Sequence, residues 1–139
     1  MAVDEGGNKR LKFDFELEFD DDVVIVELDG LQHFWRDAYC FSDAGCQRDL
    51  IKERVAIVRG RPVVRLLQPE VWDDKNGWRD YLTRAVAYAL KSATPIVLTP
   101  DAPEYTRKDS AYAIRRADPT RISLGCLFVK SVPGSSSGV

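Results

Sequence analysis

An α/β fold with an N-terminal β-hairpin flanked by helices is predicted by three features of this 139-residue chain. Residues 11–18, LKFDFELE, alternate apolar and charged side chains at the period of a strand. After the acidic turn FDDD, residues 23–30, VVIVELDG, form a β-branched run that stops at Gly30, so the two segments pair as a hairpin. Downstream, helical periods alternate with short β-branched runs, the order expected of helices laid on a sheet.

The remaining elements follow in order. Ser42 is placed to cap a helix through DAGCQRDLIKERVAIVRG that Gly60 closes, with Ile51, Val55 and Val58 as its buried stripe. PVVRLL (62–67) reads as a short strand, and NGWRDYLTRAVAYALKS (76–92) as a second helix whose apolar set is Trp78, Leu82, Ala85, Val86, Ala89 and Leu90. TPIVLT is a further strand, KDSAYAIRRA a short helix and RISLGCLFVK a final strand. Length and a 45% hydrophobic content fit one domain over residues 1–139, with the polar ends 1–8 and 131–139 expected to be flexible.

No stretch approaches the roughly 18 apolar residues of a membrane span, and the N-terminus lacks the apolar middle of a secretory signal. A soluble intracellular protein of cytoplasm or nucleus is the expectation, with no membrane partner. Three cysteines, Cys40, Cys46 and Cys126, form no ligand motif, so they read as reduced thiols and no zinc is expected. The net charge of −2 hides an asymmetry: residues 1–30 carry three Lys/Arg against ten Asp/Glu, whereas residues 31–66 carry seven against four. An acidic hairpin facing basic segments suits a cation site beside a phosphate-contacting surface, and equally the solvated faces of an ordinary enzyme.

The hairpin sharpens this. A turn of two or four residues centred between Asp20 and Asp21 sets Asp14 opposite Glu27 and Lys12 opposite Asp29, all on one face. Opposed side chains have Cβ atoms roughly 4.5–5.5 Å apart, near enough for two carboxylates to share a hard cation. Mg²⁺ binds in this manner, through one or two carboxylates plus substrate phosphate, and a metal-activated water can attack a phosphodiester. His33, the one histidine of the chain, follows the strand closely enough to move a proton there, and its ordinary pKa of about 6.5 suits neutral pH.

Read together, FDF, ELDGLQHF, RDLIKERVAIVRG and PVVRLL resemble the nuclease core of the very-short-patch-repair endonucleases and of the homing endonucleases named for an EDxHD motif, within the PD-(D/E)XK restriction-endonuclease-like superfamily. The likeness covers about residues 11–90, and Phe13 stands where the superfamily has proline. It implies a restriction-endonuclease-like core with a mixed β-sheet, and a Mg²⁺-dependent (or Mn²⁺-dependent) DNA endonuclease acting on double-stranded rather than single-stranded DNA. It implies Asp14, Glu27 and Asp29 as metal ligands, His33 as the proton-transfer residue, Asp49 as the motif's helical aspartate, and Lys52 in place of a strand lysine. Arg48, Lys52, Arg59, Arg61 and Arg65 are candidate DNA-backbone contacts. Two rivals belong to other classes: a catalytically silent nucleic-acid-binding domain of this fold, and a small viral or regulatory protein whose Trp35, Trp72 and Trp78 mark a partner surface.

Overall fold

The computed structural model describes residues 2–3, 10–117 and 129–132. Strand β3 (Phe15–Phe19) and strand β4 (Asp22–Asp29) form the expected antiparallel hairpin, Phe19 pairing with Asp22 and Phe15 with Val26. The two-residue turn is Asp20-Asp21, and Asp20 takes φ +51°, a left-handed conformation that aspartate tolerates better than most residues. Helix α1 (Asp43–Val58) then crosses the sheet, and strand β5 (Val63–Leu67) returns parallel to β4. A short helix α2 (Gln68–Trp72), helix α3 (Trp78–Lys91) and strand β6 (Val97–Pro100) follow. Helices α4 (Pro103–Thr106) and α5 (Ala111–Ala117) and strand β7 (Val129–Val132) complete the fold. The sheet is mixed, in the order β3-β4-β5-β6-β7, with the pairs from β4 to β7 parallel.

The sheet buries two faces of different character. Val24, Val26, Val64, Leu66 and Leu98 meet Tyr81, Ala85 and Ala89 of α3 in an apolar core. Trp78, Leu82, Ala85, Val86 and Ala89 of the stripe expected of α3 pack here, whereas Tyr81, outside that expected set, is buried and Leu90 is exposed. On the other face Ile25, Val63 and Val97 meet Ala56 of α1, and farther along the strands the same face turns polar. A continuous β-branched run suits strands covered on both sides by crossover helices, which is why β4 and β5 do not alternate.

Several expectations are corrected. The buried face of α1 consists of Cys46, Asp49, Leu50, Glu53 and Ala56, not the stripe of Ile51, Val55 and Val58; Val58 is 72% exposed. The helix lays acids toward charged partners on the sheet, so the wheel drawn from apolar residues alone points the wrong way. Its ends are as expected: Ser42 Oγ accepts the Gly45 N–H at 2.9 Å, and Gly60 at φ +77° lets the chain leave in a left-handed turn. Phe13, expected to share a face with Phe15 and Leu17, packs instead with the α1-side cluster, while Leu17 packs with the α3-side core. The N-terminus is not wholly unpaired, since strand β1 (Ala2–Val3) pairs with strand β2 (Arg10–Leu11). Ser131 and Val132, expected in a flexible tail, lie in β7, whereas Cys126, residues 121–128 of the expected final strand and residues 133–139 lie outside the described residues. Among the described residues no helix is long and apolar enough to cross a membrane.

Candidate functional site

Parallel pairing of β4 with β5 brings Glu27 beside Arg65 and Asp29 beside Leu67, at the carboxyl ends of both strands. Ligand sites of α/β sheets form at such carboxyl ends. Glu27 and Asp29, two residues apart, project to the same face as α1. Beyond them a single 3-10 turn, Leu31–His33, reverses the chain.

The hairpin register locks Asp14 against Glu27. The Asp14 N–H donates to Glu27 Oε2 at 2.7 Å, and the Leu28 N–H donates to Asp14 Oδ2 at 2.8 Å. Each carboxylate thus accepts a main-chain donor from the other strand, which fixes both side chains and offsets part of their repulsion. From α1, Lys52 reaches across to Glu27, Nζ to Oε1 at 2.5 Å, with the ammonium 5.6 Å over the Phe13 ring. A lysine thus reaches Glu27 from the helix rather than from the strand. Asp14 is exposed while Glu27 is buried, so the pair has one open and one sheltered member.

A second group forms around His33. Its Nδ1 is hydrogen-bonded to Asp49 Oδ2, and Asp29 Oδ1 lies 4.0 Å from the same nitrogen. With Nδ1 held, Nε2 is the ring position left to exchange a proton. Burial opposes the imidazolium, yet the hydrogen bond and charge of Asp49, joined by Asp29, outweigh it, and the His33 pKa lies above its ordinary 6.5. Asp49 is therefore a buried partner of the histidine, not the solvent-facing residue that the apolar wheel implies.

Beneath both groups lies a charged core. Arg65 is fully buried; its Nη1 donates to Asp29 Oδ1 and its Nε to Glu53 Oε1, each at 2.8 Å. The expected role of Arg65 as a DNA-backbone contact is overturned by this burial. Asp29 also accepts the Tyr105 hydroxyl on Oδ2 at 2.8 Å, and Glu53 Oε1 accepts the Tyr112 hydroxyl at 2.9 Å. Both Asp29 oxygens are thus engaged, and burial raises its pKa to about 6 against the opposing pull of Arg65. The expected three-carboxylate ligand set is not assembled. Among the described residues no group of three or more His, Cys, Asp or Glu side chains is gathered to hold a metal ion, and Asp29 anchors Arg65 instead. Asp14 and Glu27 remain a pair that fits Mg²⁺, which needs only one or two carboxylates. Asp14 Oδ2 and both Glu27 oxygens each accept one donor, which leaves coordination sites open on the pair.

Of the other expected contacts, Arg48 and Arg59 are exposed on α1 and at its C-cap, and Arg61 pairs with Glu16 at 3.2 Å. Helical rise separates Arg48 from Arg59 by about 16 Å, so they do not form one patch. Trp72 is 74% exposed, whereas Trp78 packs against the apolar core. Sequence reasoning missed Glu53, Tyr105 and Tyr112. For Glu53 a signal existed: Cys46, Asp49, Glu53 and Ala56 recur at helical spacing, a small-or-acidic stripe opposite exposed residues. For the tyrosines there was none, because they reach Asp29 and Glu53 across 76 and 59 residues. Comparison of the chain with family models, with curated proteins and with solved structures returns no match in any of the three.

Proposed function

We propose that this protein is a metal-dependent endonuclease that hydrolyses phosphodiester bonds in DNA, on a restriction-endonuclease-like core. One observation carries the reading: the hairpin sets Asp14 against Glu27, and Lys52 from the crossover helix meets Glu27 while the His33–Asp49 pair follows the same strand. The element order of hairpin, helix and parallel strand agrees with that core. Asp14 and Glu27 would hold Mg²⁺ or Mn²⁺, which supplies a Lewis acid for charge developing on phosphate. Lys52 balances the Glu27 carboxylate and stands ready to donate to a water or phosphate oxygen. His33, oriented through Nδ1 by Asp49, presents Nε2 for proton transfer to or from the reacting oxygens.

The test is incubation with supercoiled plasmid, single-stranded DNA and RNA, each with Mg²⁺, Mn²⁺ or EDTA. Cleavage of duplex DNA that EDTA stops, and that Asp14→Asn and Glu27→Gln abolish in folded protein, is the expected result. Binding without cleavage selects the silent domain of this fold, and variants that cut like the parent refute the metal pair.

A further inference from the structure

A second feature of this face is an open cavity of ≈ 410 Å³ lined by Arg36, Asp43, Ala44, Gln47 and Arg115. The loop after His33 and the first turn of α1, seven residues apart, meet helix α5 there, 72 residues downstream of Asp43. Two arginines converge on one acid. Arg36 Nη2 lies 3.5 Å from Asp43 Oδ1, and Arg115 Nη2 bonds the same oxygen. The three partners differ in freedom: Arg115 is 15% exposed, Arg36 71% and Asp43 62%. Arg115 also keeps Nε buried without a hydrogen-bond partner. One exposed carboxylate therefore shares two guanidinium groups, leaving an excess positive charge in a polar hollow.

We propose that this cavity is a phosphate subsite that seats a backbone phosphate of the bound DNA strand, with Asp43 as an internal stand-in that the phosphate displaces. The inference rests on the nuclease reading and adds where the strand lies. Guanidinium forks match phosphate oxygens, and a solvent-exposed aspartate yields its place at little cost. The position suits the chemistry. Arg36 is three residues beyond His33, and Cys46, whose Sγ donates to the His33 carbonyl at 3.8 Å, also neighbours Arg115. A phosphate held here lies one layer of residues from the His33–Asp49 pair, as a nucleotide flanking the scissile bond requires.

The test measures duplex-oligonucleotide affinity in EDTA, as a function of salt, for the parent and four variants. Asp43→Asn removes the competitor, so affinity rises several-fold and the slope of log affinity on log salt steepens by about one phosphate contact. Arg115→Gln and the exposed Arg36→Gln each lower affinity about tenfold, and the second variant serves if the first fails to fold. Asp80→Asn, which breaks an exposed ion pair with Arg84 on the opposite helix layer, makes the same charge change elsewhere and leaves affinity unaltered. Equal effects of Asp43→Asn and Asp80→Asn, or parental affinity in Arg36→Gln, overturn the subsite while DNA cleavage still supports the nuclease reading. A parent that neither binds nor cuts DNA overturns both. Inorganic phosphate and a mononucleotide, added as competitors, separate the sources: displacement of DNA at millimolar concentration of either alone assigns the cavity to a free anion and overturns the strand-binding form of the proposal.

Discussion

Replacing Arg65 with Met leaves Asp29 and Glu53 buried and facing each other without their shared cation. Two charged hydrogen bonds of 2.8 Å are lost at a fully buried site, and methionine fills most of the vacated volume. Removing one partner of a buried ion network costs about 3–5 kcal/mol, because the remaining charges keep their desolvation penalty. For a domain of this size that is a fall of about 10–20 °C in Tm. The sign with pH follows from Asp29. Its folded pKa of about 6 lies above 3.8, so its contribution to stability is fully present below pH 3.8 and is lost as pH rises through about 6. Arg65 is what holds that value down, so in Arg65→Met the window moves upward and the deficit against the parent is smaller at pH 5 than at pH 8. Chemical denaturation at both pH values, with oligonucleotide affinity measured on the folded fraction, checks this. A deficit below about 1 kcal/mol, or lost DNA affinity with an unchanged midpoint, would falsify the structural role and return Arg65 to the DNA surface.

Further outcomes follow from the same geometry. His33→Ala lowers the single-turnover cleavage rate about 10²–10⁴-fold with DNA affinity unchanged; a destabilised variant with parental chemistry removes His33 from the site. Because the folded His33 pKa is raised, its stabilising contribution is present below pH 6.5 and disappears at higher pH, so His33→Asn flattens the pH dependence of Tm above 6.5. Lys52→Met abolishes cleavage yet leaves the hairpin paired, visible as retained amide protection of Asp14 and Leu28, the two donors of the carboxylate lock. Ser42→Ala removes the side-chain acceptor of the Gly45 N–H and lowers the unfolding free energy from chemical denaturation by about 1 kcal/mol; no change means the N-cap bond is absent in solution.

The hairpin was legible because local chemistry decides it: alternation marks β3, the FDDD segment marks the turn, and a two-residue turn there gives the pairing of Phe15 with Val26, although Phe13 leaves the face that alternation assigns it. Gly60 and Ser42 punctuate α1 for similarly local reasons. The burial of α1 was not legible from apolar residues, because its inner face is chosen by partners on other elements: Arg65 for Glu53, His33 for Asp49 and Glu27 for Lys52. Asp29 illustrates the limit. As a residue following Glu27 it reads as a ligand, and only the arrival of Arg65 and Tyr105 turns it into an anchor. Short helices α2 and α4 escaped notice because proline near their starts resembles loop punctuation.

The tyrosine contacts have a consequence for how the molecule comes into being. Synthesis delivers β3, β4, α1 and β5 first, with Asp29, Glu53 and Arg65 already within reach of one another. Their sealing waits for Tyr105 and Tyr112, supplied from 76 and 59 residues downstream. Until α4 and α5 emerge, that trio is open to water and its mutual attraction is screened. The nascent chain therefore carries Asp29 and Glu53 in a hydrated form, and the dry charged layer beneath the His33–Asp49 pair arises late, when the last helices close over the strand ends.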